Sequence, residues 1–69
     1  MKLKYYLDLK GIKQIEMAFQ IGINPSTFNK FLNGYTLLPT QFHEKLCRAL
    51  GCSQDKLRGN YIILLDKND

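Results

Sequence analysis

Residues 14–34 read QIEMAFQIGINPSTFNKFLNG, a run that parses as two short helices joined by a tight turn. Met17, Ala18 and Ile21 recur at helical spacing and form one apolar stripe. Gly22 follows, the residue type that tolerates a left-handed cap at a helix C-terminus. Ile23 is apolar and is expected to tuck into a core. Asn24 is a good N-cap, because its side chain accepts from the free backbone N–H groups of the next turn. Pro25 then falls at the first helical position, where its missing N–H costs nothing. Gly34 closes the second helix, which is expected over 25–33. A helix this short needs tertiary packing to be stable.

Rotation by roughly 100° per residue divides that second helix into two faces. Phe28, Phe31 and Leu32 share the core side. Ser26, Asn29, Lys30 and Asn33 share the other, at i, i+3, i+4 and i+7, with Thr27 at its edge. No carboxylate on this face repels phosphate. Asn and Lys side chains can hydrogen-bond base edges in a DNA major groove, and Ser can bond bases or phosphates. Any one of these positions taken alone is an ordinary solvated polar residue. The four together, behind a Gly-turn-Asn-Pro junction, point to readout of double-stranded DNA.

The chain has 69 residues, enough for one modest core. Hydrophobic residues make up 45%, which excludes a disordered chain. The net charge of +4 and the isoelectric point near 9.2 favour a polyanionic partner. That charge is spread out, since Lys30 is the only charged residue between Met17 and Phe42. Lys2, Lys4, Lys10 and Lys13 lie in or beside the first helix and can flank a duplex. The N-terminus lacks the apolar run and cleavage site of an export leader. No segment approaches the roughly 20 apolar residues that span a bilayer. A cytoplasmic protein without membrane contact is therefore expected, with Cys47 and Cys52 reduced.

The whole chain reads as all-α: a compact five-helix domain over 1–58 and an extended C-terminal tail over 59–69. Helix one is expected over 2–10, ending at Gly11. Helix two starts near Gln14, with Glu16 in its positively polarised first turn. After a loop over 35–39, Thr40 is expected to cap helix four, which turns Phe42, Leu46, Ala49 and Leu50 inward and stops at Gly51. Ser53 is expected to cap a fifth helix, with Asp55 in its first turn and Leu57 as core anchor. Gly59 and Asn60 break it. Tyr61, Ile62, Ile63, Leu64 and Leu65 form an unbroken apolar run, strand-like at that length.

In order and spacing, the pieces Gly11-Ile12-Lys13-Gln14, Met17-Ala18, Gly22-Ile23-Asn24, Ser26-Thr27-Phe28, Asn33-Gly34, Pro39 and Ala49-Leu50-Gly51-Cys52-Ser53 with Leu57 resemble one family. It is the lambda-repressor-like (Cro/C1-type, Xre) helix-turn-helix regulators, and the resemblance runs from Leu3 to Leu57. It implies a helical domain that binds operator DNA, usually as a dimer on a near-palindromic site. It implies a phosphate contact for Gln14, and base contacts for Pro25, Ser26, Asn29 and Lys30. Two departures stand out. Where the family often pairs an Arg on helix one with a Glu on helix three, this chain has Leu7 and Leu32. Replacing both partners of such a pair with apolar residues can be neutral or stabilising, so the paired change agrees with the fold. Pro25 stands where the family often has a base-reading side chain, and Pro offers DNA only apolar contact.

Other residues suggest little chemistry. His43 and Cys47 share a face of helix four, but a zinc site needs about four ligands and Cys52 does not complete one. Cys47 is expected in the core and His43 on the surface. No catalytic residue, metal or cofactor is expected. Ile15 and Phe19 point away from the stripe of helix two, and Tyr5 and Leu9 form a comparable stripe on helix one. Either the chain's own tail covers some of them or they are a partner surface. The tail poses a related choice. A lone strand needs another strand, and a helical body offers none, so residues 61–65 are expected to pair with the same tail of a second subunit as an antiparallel ribbon. The competing arrangement folds the tail back over Tyr5 and Leu9.

These readings converge on sequence-specific double-stranded DNA binding by a homodimeric regulator of phage or mobile-element type. Its interface comprises Lys13, Gln14, Pro25, Ser26, Thr27, Asn29, Lys30 and Asn33. The alternative keeps the fold as a protein-interaction module of antitoxin or anti-repressor type, working through Ile15, Phe19 and the tail.

Overall fold

The computed structural model describes residues 1–63. Helices α1 (Leu3–Leu9), α2 (Gln14–Ile21), α3 (Pro25–Leu32) and α4 (Thr40–Leu50) are followed by a 3-10 turn (Gln54–Lys56) and two short strands, β1 (Leu57–Arg58) and β2 (Tyr61–Ile62). The helices pack as amphipathic units around one core. Leu3 and Leu7 come from α1, Met17, Ala18 and Ile21 from α2, and Phe28, Phe31 and Leu32 from α3. Ile23 of the α2–α3 junction, Leu46 and Cys47 of α4, Leu57 of β1 and Ile62 of β2 complete it. Leu7 and Leu32 are both fully buried in this cluster, as an apolar replacement of an ion pair requires.

The junction between α2 and α3 is built from local signals. Gly22 is left-handed (φ 83°), which lets its N–H reach the Phe19 carbonyl and the Ile23 N–H reach back to Ala18. The chain leaves this cap with Ile23 buried. Asn24 then opens α3, its Oδ1 accepting from the backbone N–H of Ser26 at 2.8 Å and of Thr27 at 3.4 Å.

The C-terminal part departs from an all-α, five-helix domain. The expected fifth helix is a single 3-10 turn, because the backbone at Leu57 is already extended (φ −104°, ψ 113°) and continues as a strand. Ser53 does not cap the backbone there. Its hydroxyl bonds the Asp55 carboxylate, and chiefly for that reason Asp55 titrates below the usual carboxylate range. Thr40 is the first residue of α4 and not its cap, a position taken by Pro39.

The tail differs most. β2 pairs antiparallel with β1 in the register Leu57 with Ile62 and Arg58 with Tyr61, around a turn at Gly59 and Asn60. Its other edge meets the N-terminus: Lys2 bridges Tyr61, the Ile62 N–H donates to the Met1 carbonyl at 2.8 Å, and the N-terminal ammonium donates to the Ile62 carbonyl at 3.2 Å. A second subunit is needed only where the body has no strand to offer. The chain supplies both neighbours itself, so Tyr61 and Ile62 have no open edge for a ribbon. Leu64 and Leu65 lie outside the described residues. Ile62 is in the core, so the boundary drawn after residue 58 falls inside a hairpin integral to the domain. Nor does β2 cover Tyr5 and Leu9, which stay 57% and 71% exposed.

Candidate functional site

α3 presents Ser26, Asn29 and Lys30 to solvent, with Asn33 at its C-cap, while Pro25 and Thr27 are half-buried at its rim. Lys13 and Gln14 bring the start of α2 to the same side, since Gln14 touches α3 directly. Asn29 Nδ2 donates to Gln14 Oε1 at 3.0 Å. Asn33 Nδ2 donates to the Asn29 backbone carbonyl at 2.9 Å and to Asn29 Oδ1 at 3.2 Å. Lys4 Nζ of α1 closes the chain by donating to Asn33 Oδ1 at 3.1 Å. One directional run of hydrogen bonds thus links three helices, from the Lys4 ammonium through two asparagines to a glutamine.

The direction of that run decides what each member can still offer. Gln14 spends its carbonyl oxygen on Asn29 and keeps both Nε2 hydrogens, which suit phosphate oxygens. Asn29 keeps one Nδ2 hydrogen and one Oδ1 lone pair. A donor and an acceptor side by side match the N7 and N6 edge of adenine in a major groove. Asn33 spends both hydrogens inside the protein, so it orders Asn29 in preference to touching a base. Lys30 stands in the last turn of α3, exposed. No acidic residue lies on α3.

Two residues matter more than the sequence suggests. Lys4 is one of several flanking lysines in the sequence, and its pairing with Asn33 across helices leaves no local trace in the chain. Asn60 reads in the sequence as a breaker. Its Nδ2 donates to the Leu32 carbonyl at 3.0 Å, satisfying an end group of α3, and its own carbonyl accepts from the Leu3 N–H at 2.8 Å, the first N–H of α1. His43, expected on the surface, is half-buried, with Nε2 at 3.2 Å from the Leu57 carbonyl of β1. Cys47 is buried, and burial, with the neighbouring Cys52 thiol adding to it, pushes its pKa up to about 11. Its side chain belongs to the core cluster.

Ile15 and Phe19 of α2 remain 52% and 67% exposed. Among the described residues no helix is long and apolar enough to cross a membrane, and no three His, Cys, Asp or Glu side chains gather to hold a metal ion. Neither the curated proteins nor the solved structures contain a match to the chain. A family model described as a Cro/C1-type HTH DNA-binding domain does match, over residues 2–56.

Proposed function

Given that the chain belongs to the Cro/C1-type helix-turn-helix DNA-binding family, we propose that it is a small sequence-specific transcriptional regulator, of phage or mobile-element type, that reads the major groove with α3. The hydrogen-bonded run from Lys4 through Asn33 and Asn29 to Gln14 carries this reading. It orders the side chains in the free protein, so less rotamer entropy is lost when they meet DNA. Gln14 and Lys13 take the phosphate backbone, Ser26 and Asn29 meet base edges, Pro25 and Thr27 give apolar contact, and Lys30 supplies charge.

Selection of bound sites from random duplex DNA, followed by titration of variants, tests the reading. Lys30→Glu is expected to weaken binding to every sequence, most at low salt, because it sets a negative charge near phosphates. Asn29→Ala is expected to relax base preference at one position by roughly 1–3 kcal/mol. Unchanged duplex affinity of Lys30→Glu at low salt would sink the proposal. A second reading has its own observation: Ile15 and Phe19 are large, apolar and exposed, as in a protein-interaction module of antitoxin or anti-repressor type. Duplex binding with a steep salt dependence favours the first reading, and its absence the second.

A further inference from the structure

The small sheet has two unlike faces. Leu57 and Ile62 oppose each other on one and are buried. On the other, Tyr61 stands between Lys2 and Arg58, because it pairs with both: with Lys2 through the bridge and with Arg58 through the hairpin register. Directly opposed residues of antiparallel strands project to the same side. All three are exposed, and Tyr61 keeps 48% of its surface. A cation, an aromatic ring and a cation therefore form one row. Among the described residues Asp55 is an acidic neighbour, whose carboxylate is engaged by Ser53 and lies near Arg58 and Lys56. Arg58 Nε also leans on the Asp55 backbone carbonyl at 3.5 Å.

The row's position follows from two tethers. Asn60, the residue before Tyr61, bonds the last turn of α3 through the Leu32 carbonyl. Lys4, two residues after Lys2, bonds Asn33 at the α3 C-cap. The Lys2 and Tyr61 segments of the row are thus tied to the C-terminal end of α3. A second copy of the chain is a poor occupant, since a two-fold contact would set like charges against each other. An apolar partner would strip water from two cations without pairing them. A polyanion satisfies both cations, and the tyrosine adds a ring and a hydroxyl donor to a phosphate or sugar.

We propose that Lys2, Tyr61 and Arg58 form a second duplex contact, gripping the phosphate backbone beside the C-terminal end of α3. This rests on the reading of α3 as a DNA-binding helix and adds a non-specific grip to its sequence readout.

The experiment measures the affinity of the full chain for its selected duplex as a function of salt. In Lys2→Ala/Arg58→Ala the slope of log affinity against log salt is expected to become shallower by about 1.8, roughly 0.9 for each phosphate that is no longer neutralised. The preferred sequence should not change, and neither should the melting temperature, because both side chains are exposed. Lys45→Ala/Arg48→Ala, which removes two exposed cations from α4, controls for net charge and should keep the parent slope. A parent slope in the Lys2/Arg58 variant, or an equal change in the α4 control, overturns the proposal while leaving α3 readout intact. Loss of self-association in place of a slope change overturns it in favour of a protein contact. A parent chain that binds no duplex even at low salt instead overturns the underlying function.

Discussion

The α2–α3 unit and the β1–β2 hairpin are held by opposite kinds of contact. In the first, the cap of α2 and the cap of α3 each join residues a few positions apart: Ile23 to Ala18, and Ser26 and Thr27 to Asn24. In the second, Met1 with Ile62, Lys2 with Tyr61 and Leu3 with Asn60 span almost the whole chain, and Asn60 with Leu32 joins its end to its middle. Local caps make the helix pair readable in any window of the sequence that contains it. Long-range pairing hides what the hairpin docks on, the N-terminus beside β2 and the end of α3 beside Asn60. The helix pair proposed to read DNA is therefore braced by a unit that its own stretch of sequence does not mention.

The largest expected effect comes from removing the hairpin's second strand. A chain ending at Gly59 loses Ile62, whose burial is worth roughly 2–3 kcal/mol, along with the cross-strand bonds and both Asn60 contacts. A domain this small holds only about 5 kcal/mol in reserve. Truncation is expected to abolish the cooperative melt, even though α1 to α4 stay covalently intact. If the truncated chain melted like the full one, the hairpin would be an appendage after all. The same preparation checks the ribbon. Because β2 has both edges occupied by its own chain, the full-length protein is expected to sediment as a monomer at tens of micromolar in the absence of DNA.

Leu32 tests where the two regions meet, since it packs in the core from α3 and its carbonyl takes the bond from Asn60. Leu32→Glu buries a carboxylate with no cation to meet it and is expected to cost about 3–5 kcal/mol. Adding Leu7→Arg should recover part of the loss, because both positions belong to one cluster. Thermal melts of the two single variants and the double variant decide this. No recovery would break the idea that the leucines stand in for an ion pair.

What is legible in the sequence follows the same divide. Periodicity alone marks Met17, Ala18 and Ile21, and Phe28, Phe31 and Leu32, as core, and all are buried. The same rotation turns Ser26, Asn29, Lys30 and Asn33 outward, and all four are exposed. Those inferences need only the helical period and local caps. The 3-10 turn is hidden because Ser53 and Asp55 look like a helix start, while Leu57 is drawn into a strand by Ile62, a partner beyond a tight turn. The apolar run from Tyr61 is strand-like in sequence and begins as a strand in the structure. Its partners, however, are a segment that reads as the end of a helix and an N-terminus that reads as helical. Lys4 is inconspicuous because nothing in its own neighbourhood distinguishes it from Lys2 or Lys10.

The smallest expected effect compares one cap from each region. Asn24→Ala removes a local cap at the start of α3, and such losses typically cost about 1 kcal/mol. Asn60→Ala removes a distant donor from the other end of the same helix and leaves the part-buried Leu32 carbonyl unpartnered, which costs about 1–2 kcal/mol. The stability losses are thus similar, and amide hydrogen exchange separates them. Fraying after Asn24→Ala should stay near Ser26 and Thr27, whose N–H groups lose their acceptor. Asn60→Ala should loosen the end of α3 around Asn33 together with the hairpin turn, because one side chain joins them. The Leu3 N–H is bonded to the Asn60 backbone carbonyl, which the substitution keeps, so the start of α1 should hold its protection. If Asn60→Ala frayed α3 no more than Asn24→Ala frays the hairpin, the long-range brace would add nothing to α3.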